Sequence, residues 1–287
     1  MSRYRPRPTL ELSSEQVRAF HDSGYLVLKD ITSSDEIEAL RGIFGRLFAE
    51  KAGREQGAQF DMVGRDDDDG APPRSPQIIN PQFFAPELDH TLFAVNALAV
   101  ARALLGRKAE ISFQHAIRKP GGYGAPTPWH QDEAFRRDYA PGYREISIWL
   151  PLQTVGSDNG CMEFVPGSHR GPVLPHRSPG GDIRVHTLEC AGGFDPADAM
   201  LCPLPLGSAS VHHCRTLHHA GANRSAHERV AFIIGLHVPP KQSPRRYPNF
   251  PWNEEKQTAS LERKRAWRKR GGVLVELGRK LARLLPQ

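Results

Sequence analysis

The 287-residue chain is poor in cysteine: it has four, and none forms a C-x-x-C pair. Cys161, Cys190, Cys202 and Cys214 thus offer neither a zinc-knuckle spacing nor the dense framework of a small secreted domain. They read as reduced thiols of a cytoplasmic protein. Long apolar runs are missing too. The best, "VAFIIGL" (230–236), has strand length, far short of the ~18 residues a membrane span needs. The opening "MSRYRPRPTL" is basic but leads into no apolar stretch, so no secretory signal is expected. Excess charge is absent from most of the chain. The net charge of +6 is concentrated in "ERKRAWRKR" (262–270), with six basic residues against one acid, and the remainder is close to neutral. A basic nucleic-acid-binding body is thereby disfavoured. What is left, 39% hydrophobic and 24% charged, is the composition of a globular protein.

Two helices are expected at the start. "LSSEQVRAFHDSG" carries a capping box, Ser13 with Gln16, and stops at Gly24. "TSSDEIEALRGIFGRLFAEKAG" repeats the device with Ser33 and Glu36, and Ile37, Leu40, Ile43, Phe44, Leu47 and Phe48 keep a helical period. "GYLVLKDI" between them reads as a strand. Residues 51–81, containing "GRDDDDGAPPRSP", show no periodicity and read as a long mobile loop, either a solvated insertion or a lid. A third helix is expected over roughly 86–105, ended by Gly106. From Glu110 to Pro240 short apolar runs alternate with turn signals, the pattern of a sandwich or barrel. Helices first and strands later predict an all-β core with flanking helices packed on one face. The reading divides the chain at 252. Residues 1–252 form one domain, with a helical part (1–109) and a β core (110–240); residues 253–287 form a basic C-terminal helical tail. In that tail Val273, Leu277, Leu281 and Leu284 make an apolar stripe, suited to packing on the body or on a second subunit.

The chemistry is concentrated in "TPWHQDEAF" (127–135), where His130 and Asp132 stand two apart. Positions i and i+2 of a strand share a face, so both side chains reach one point, as two metal ligands must. A third ligand is needed. "HHCRTLHHAGANRSAHERVAFI" offers His212, His213, His218, His219 and His227, most of which are ordinary core or surface histidines. Thr127 and Trp129 flank the pair, Asn159-Gly160 is a hairpin-turn signal, and Gly167-Ser168 a second turn.

"PWHQD", then "NGCMEFVPGSH", then "HHAGANRS" with an arginine shortly after, occur in an order that resembles the phytanoyl-CoA dioxygenase family, from about residue 13 to residue 240. That resemblance implies a double-stranded β-helix (a cupin-like jelly roll), Fe(II), and 2-oxoglutarate and O2 as cosubstrates. The family's distal histidine opens H-G-x-G-x-N. Counting back five from Asn223 gives His218, while His219 stands where glycine usually follows and is the alternative. Neighbours on a strand face opposite ways, so only one can reach the metal. The family's 2-oxoglutarate arginine lies eleven residues past the histidine: from His218 this is Arg229, from His219 it is Val230. The resemblance therefore implies His130, Asp132 and His218 as a facial triad with three coordination positions left open. It implies Arg229 as the cosubstrate anchor, a planar fork for a carboxylate. Trp149 and Gln114 stand where the family has further cosubstrate contacts, with plain core as the alternative for each, and His169 is read as no ligand. Halogenating relatives carry glycine or alanine where this chain has Asp132, so hydroxylation or a related oxidation is expected. The expected substrate is a small molecule, an acyl thioester or a secondary metabolite, chosen by residues 51–81 and 170–200. The pair Arg136-Arg137 is either suited to an anionic one or a solvent-facing pair. Two other readings stand beside this: a metal-binding relative without activity, and a nucleic-acid module in which Trp267 stacks among the basic residues of the tail.

Overall fold

A computed structural model describes residues 6–66, 71–136, 144–239 and 249–272. In chain order the elements are α1 (Ser14–Ser23), β1 (Tyr25–Leu28), α2 (Ser34–Ala49), β2 (Gln59–Asp61), β3 (Pro76–Ile79), α3 (Leu92–Leu105), β4 (Glu110–Lys119), β5 (Thr127–His130), β6 (Glu145–Pro151), β7 (Met162–Phe164), β8 (His176–Arg177), β9 (Glu189–Cys190), β10 (Met200–Cys202), β11 (Ala209–His213), β12 (His218–Ala220), β13 (Arg229–His237), α4 (Pro251–Glu254) and α5 (Ala259–Trp267).

Two antiparallel sheets make the core. The larger has the order β1-β11-β6-β13-β4-β3-β2, the smaller β10-β7-β12-β5, and β8 pairs with β9. This is the expected all-β double-stranded β-helix, with α1–α3 on the outer face of the large sheet. Strand alternation sorts the side chains. On β13, Val230, Phe232, Ile234 and Leu236 join the helical layer, while Ala231 and Ile233 face inward. On β6, Ile146, Ile148 and Leu150 go outward, and Trp149 inward. Phe232 sits between Phe44 and Phe93, with ring centroids 5.1 and 5.3 Å away. Truncating it to alanine should cost about 3–5 kcal/mol in urea unfolding.

The helix signals hold. Ser13 and Gln16 form the reciprocal capping box, and Gly24 closes α1 at φ 82°. A Cβ on Gly24 would lie 2.3 Å from His169 Nδ1 and 2.6 Å from Thr216 Oγ1, so both the turn and the close packing require glycine here. α3 begins six residues later than expected, because Thr91 caps it and the Glu36 carboxylate accepts from the backbone N–H groups of Leu92 and Phe93. A 3-10 turn, Pro86–His90, precedes it.

One expectation fails. Residues 51–81 are not a structureless loop, since β2 and β3 extend the large sheet beside β4. Gln59, Phe60 and Asp61 are all buried, in a strand of three residues, too short to show a period in the sequence. Of the acidic run, Asp66 is described and lies among Arg54, Arg263 and the Asp61 amide; residues 67–70 lie outside the described residues. The C-terminal part is helical and packs on the body, and the chain runs across position 252 without a gap. α4 straddles it, and Trp252 Nε1 and Asn253 Nδ2 both donate to the carbonyl of Ala134, at 2.9 and 2.7 Å. α5 continues against the body through Ser260, Arg263 and its cap residue Thr258. The apolar stripe at 273–284 lies outside the described residues. Among those described, no helix is long and apolar enough to cross a membrane.

Candidate metal centre and cosubstrate pocket

His130 is the last residue of β5, and Asp132 opens a 3-10 turn, Asp132–Phe135, rather than continuing the strand. Gln131 between them stays extended, at φ −117° and ψ 130°, so the two ligand-type side chains still share a face. Gln131 points the other way and is fully used. It donates to the carbonyls of Pro172 and Arg215 and accepts from the Leu174 N–H. Its own N–H donates to His176 Nε2 at 3.1 Å. Glu133, wholly buried, takes Arg215 through Nε at 2.7 Å and Nη2 at 3.2 Å. The turn carrying Asp132 is thereby bolted to the loop that leads into β12.

β12 lies directly beside β5, with His218 opposite His130 in the register and their ring centroids 4.2 Å apart. Asp132 Oδ1 stands 3.6 Å from the Nε2 of each. The ligand atoms of His130, Asp132 and His218 all fall within 4.8 Å of one another. His130 Nδ1 is 2.7 Å from the Pro128 carbonyl and His218 Nδ1 is 2.8 Å from that of Thr216. A carbonyl can only accept, so each Nδ1 carries the proton and each Nε2 presents a lone pair. This is the donor set and the outer hydrogen bonding of a divalent metal site. Burial, with His130 and His212 nearby, holds His218 well below its ordinary pKa and so neutral. Burial alone would raise the Asp132 carboxyl, but His218, His130 and His212 hold it well below the usual carboxylate range. Its other oxygen, Oδ2, accepts from Ser147 Oγ at 2.7 Å and lies 3.1 Å from His212 Nε2.

His219 turns away from this cluster. Its Nε2 is 3.1 Å from Glu163, its cross-strand partner, and its ring lies against Trp129. His169 lies apart, with Nε2 against the His21 carbonyl.

Arg229 begins β13 on the inner face and is 1% exposed. Its Nε and Nη1 have no partner among the described residues. Its guanidinium carbon lies 5.3 Å from the Trp149 ring, and burial lowers its pKa to about 9. An unpaired buried guanidinium is costly; a carboxylate would satisfy it, which fits 2-oxoglutarate. Lys119, its cross-strand neighbour, is also buried but spends its ammonium on the carbonyls of Ala220 and Gly221, at 2.9 and 2.6 Å.

These groups line one cavity of about 430 Å³, which His130, Asp132, His218, Arg229 and Trp149 all reach. Gln114 does not. On β4 it is Phe113, His115 and Ile117 that face the cavity, and Gln114 points to the helical layer, donating to Asp89 at 2.7 Å. The sequence reading of Gln114 as a cosubstrate contact is therefore corrected: it sits on the wrong parity of its strand. Arg136 lines the cavity and is ion-paired with Glu145. Arg137 lies outside the described residues. Sequence reasoning missed Ser147, His212, His115 and His186. The first three face inward by the same alternation that places Trp149, a signal available once the sheet's inner face is known. His186 lies in a segment without strand periodicity and carried no signal.

Residues 20–231 match the family model for phytanoyl-CoA dioxygenase. The chain is similar to a probable alpha-ketoglutarate-dependent hypophosphite dioxygenase of Stutzerimonas stutzeri, 26% identical over 236 residues, covering 77% of each chain. It is also similar to phytanoyl-CoA dioxygenase 1 of Oryza sativa subsp. japonica, 27% identical over 259 residues, covering 80% of this chain and 90% of that one. Among solved structures, EvdO2 from Micromonospora carbonacea var. aurantiaca, complexed with 2-oxoglutarate, superposes with a TM-score of 0.70 at 32% identity, covering 86% of this chain and 99% of that one. The chain belongs to the phytanoyl-CoA dioxygenase family and is a non-haem iron, 2-oxoglutarate-dependent dioxygenase.

Proposed function

We propose that His130, Asp132 and His218 hold the Fe(II), that Arg229 binds the distal carboxylate of 2-oxoglutarate beside Trp149, and that the enzyme hydroxylates a small organic molecule. The observation that carries this is the pair of histidines whose Nδ1 protons are committed to backbone carbonyls, leaving both Nε2 lone pairs directed at Asp132 Oδ1. Bound iron with 2-oxoglutarate would activate O2 to oxidise a substrate C–H bond, with release of succinate and CO2. The protein's part is positional. Ser147 and His212 occupy Oδ2 of Asp132, which fixes the carboxylate and leaves Oδ1 toward the histidines. The Glu133–Arg215 pair holds the two ligand-bearing segments in register. Ile117, Trp149, Met162 and Ile233 keep water from the Arg229 end and so strengthen its hold on a carboxylate.

Relatives named for hypophosphite, phytanoyl-CoA and ectoine show how widely substrates differ within the family. The four cysteines are free, which supports the cytoplasm as the site of action. The test is a screen of small neutral molecules, amino acids and acyl thioesters for Fe(II)-dependent succinate release. Stimulation above the substrate-free rate identifies the substrate. A protein that forms no succinate with any of them, and shows no visible charge-transfer band with anaerobic Fe(II) and 2-oxoglutarate, would instead be a metal-binding relative without activity.

A further inference from the structure

Phe60, Met62 and His186 line the cavity on elements other than those carrying the metal-ligand residues and Arg229, and this part is taken as its outer end. His186 is fixed from several directions at once. Its ring stacks on Phe60 at 3.7 Å between centroids with 25° between planes. Its Nε2 lies 2.6 Å from Ser260 Oγ. The Lys256 ammonium donates to the carbonyls of both flanking residues, Val185 at 2.6 Å and Thr187 at 2.8 Å. The Thr187 N–H donates to the Met62 carbonyl, and the Gln257 N–H to that of Ile183. Arg263 of α5 meets Asp66 and donates to the Arg54 carbonyl. Stretches 59–66 and 182–187 thus make one wall, and stretch 251–267, which lies beyond the family-matched residues 20–231, holds it from behind. Burial holds the His186 ring neutral, its pKa lowered to about 3.

The rest of the outer chamber limits what this wall meets. Phe60, Met62, Ile79, Phe113 and Phe135 are apolar. The one cation there among the described residues, Arg136, is paired with Glu145. Among the described residues a charged substrate would find no unpaired opposite charge there to offset its desolvation. A neutral imidazole with one nitrogen committed to Ser260 leaves the other to hydrogen-bond a ligand.

We propose that the C-terminal segment completes the substrate pocket, and that His186, oriented by Ser260, is the specificity residue that hydrogen-bonds a neutral, largely apolar, ring-sized substrate carrying a hydroxyl or carbonyl. This rests on the iron and 2-oxoglutarate reading of the inner end. The test uses the full-length chain loaded with Zn(II) and 2-oxoglutarate, with cyclohexanol and methylcyclohexane as probes and ligand-observed NMR as the readout. Wild type should bind cyclohexanol more tightly than methylcyclohexane. His186→Phe keeps the stack and removes the hydrogen bond. It should weaken cyclohexanol about fivefold, the size of one neutral hydrogen bond, and leave methylcyclohexane unchanged. Ser260→Ala should move cyclohexanol the same way by about twofold. His186→Asn, which keeps a polar group, should recover part of the preference. Equal weakening of both probes, no change in either, or no binding of either by wild type would overturn the proposal. Calorimetry of 2-oxoglutarate on the same samples separates this from failure of the inner site: intact binding there means that only the wall's role has failed.

Discussion

At its inner end the cavity is walled by paired strands of both sheets, and at its outer end by the sheet edge at β2 and β3 together with the loop carrying His186. The inner walls fix side chains by parity and register: His218 stands opposite His130, Arg229 opposite Lys119, and Trp149 opposite Ile233. At the outer end Phe60, His186 and Ser260 meet through individual hydrogen bonds and a ring stack, from positions far apart in the sequence. A register-built site tolerates no substitution of its donors. A wall built contact by contact can change with the substrate while the chemistry behind it stays intact.

That contrast can be broken or sharpened by mutation. The largest effect belongs to the ligands. Asp132→Ala or His218→Ala should lower iron-dependent succinate formation more than about a hundredfold, beyond the range for residues that only support a ligand. Next comes Arg229→Ala. Leaving a carboxylate unpaired costs roughly 2–5 kcal/mol, so 2-oxoglutarate affinity measured by calorimetry should fall at least about tenfold with iron binding retained. Ser147→Ala removes a donor to Asp132 Oδ2 and should weaken Fe(II) binding by about tenfold in a competitive chelator titration. His219→Ala should change succinate formation less than about threefold, since its ring is committed to Glu163 and Trp129 rather than to the cluster. Smallest of all, Ser260→Ala should leave 2-oxoglutarate affinity unchanged. A large effect there would join the two ends into one unit and erase the distinction between them.

The same contrast explains what the sequence disclosed. Capping boxes and helical periods are local, so α1 and α2 could be read directly. The strands from 110 to 240 alternate with clear turns, and the H-x-D pair with the His218-to-Arg229 spacing survives as a linear pattern. Gln114 was misplaced because a strand's two faces look alike until its partners are known, and here the odd-numbered residues of β4 face the cavity. β2 and β3 escaped because three or four residues are too few to show a period, and β2 buries polar Gln59 and Asp61 beside Phe60. The role of residues 253–267 was invisible for another reason. A basic run reads as a solvated face, yet Lys256 and Ser260 are buried and point at the loop carrying His186. Residues of the basic tail thus hold, from behind, the loop whose His186 lines the cavity.

The most direct test of the account is a 2-oxoglutarate titration of the anaerobic Fe(II)-loaded protein, followed by the visible charge-transfer band, in wild type, His218→Ala, His219→Ala and Arg229→Ala. The band should form in wild type and in His219→Ala at similar 2-oxoglutarate concentrations, require at least about tenfold more in Arg229→Ala, and be lost in His218→Ala. A band that survives His218→Ala and disappears in His219→Ala, or an Arg229→Ala titration that overlays wild type, would contradict it.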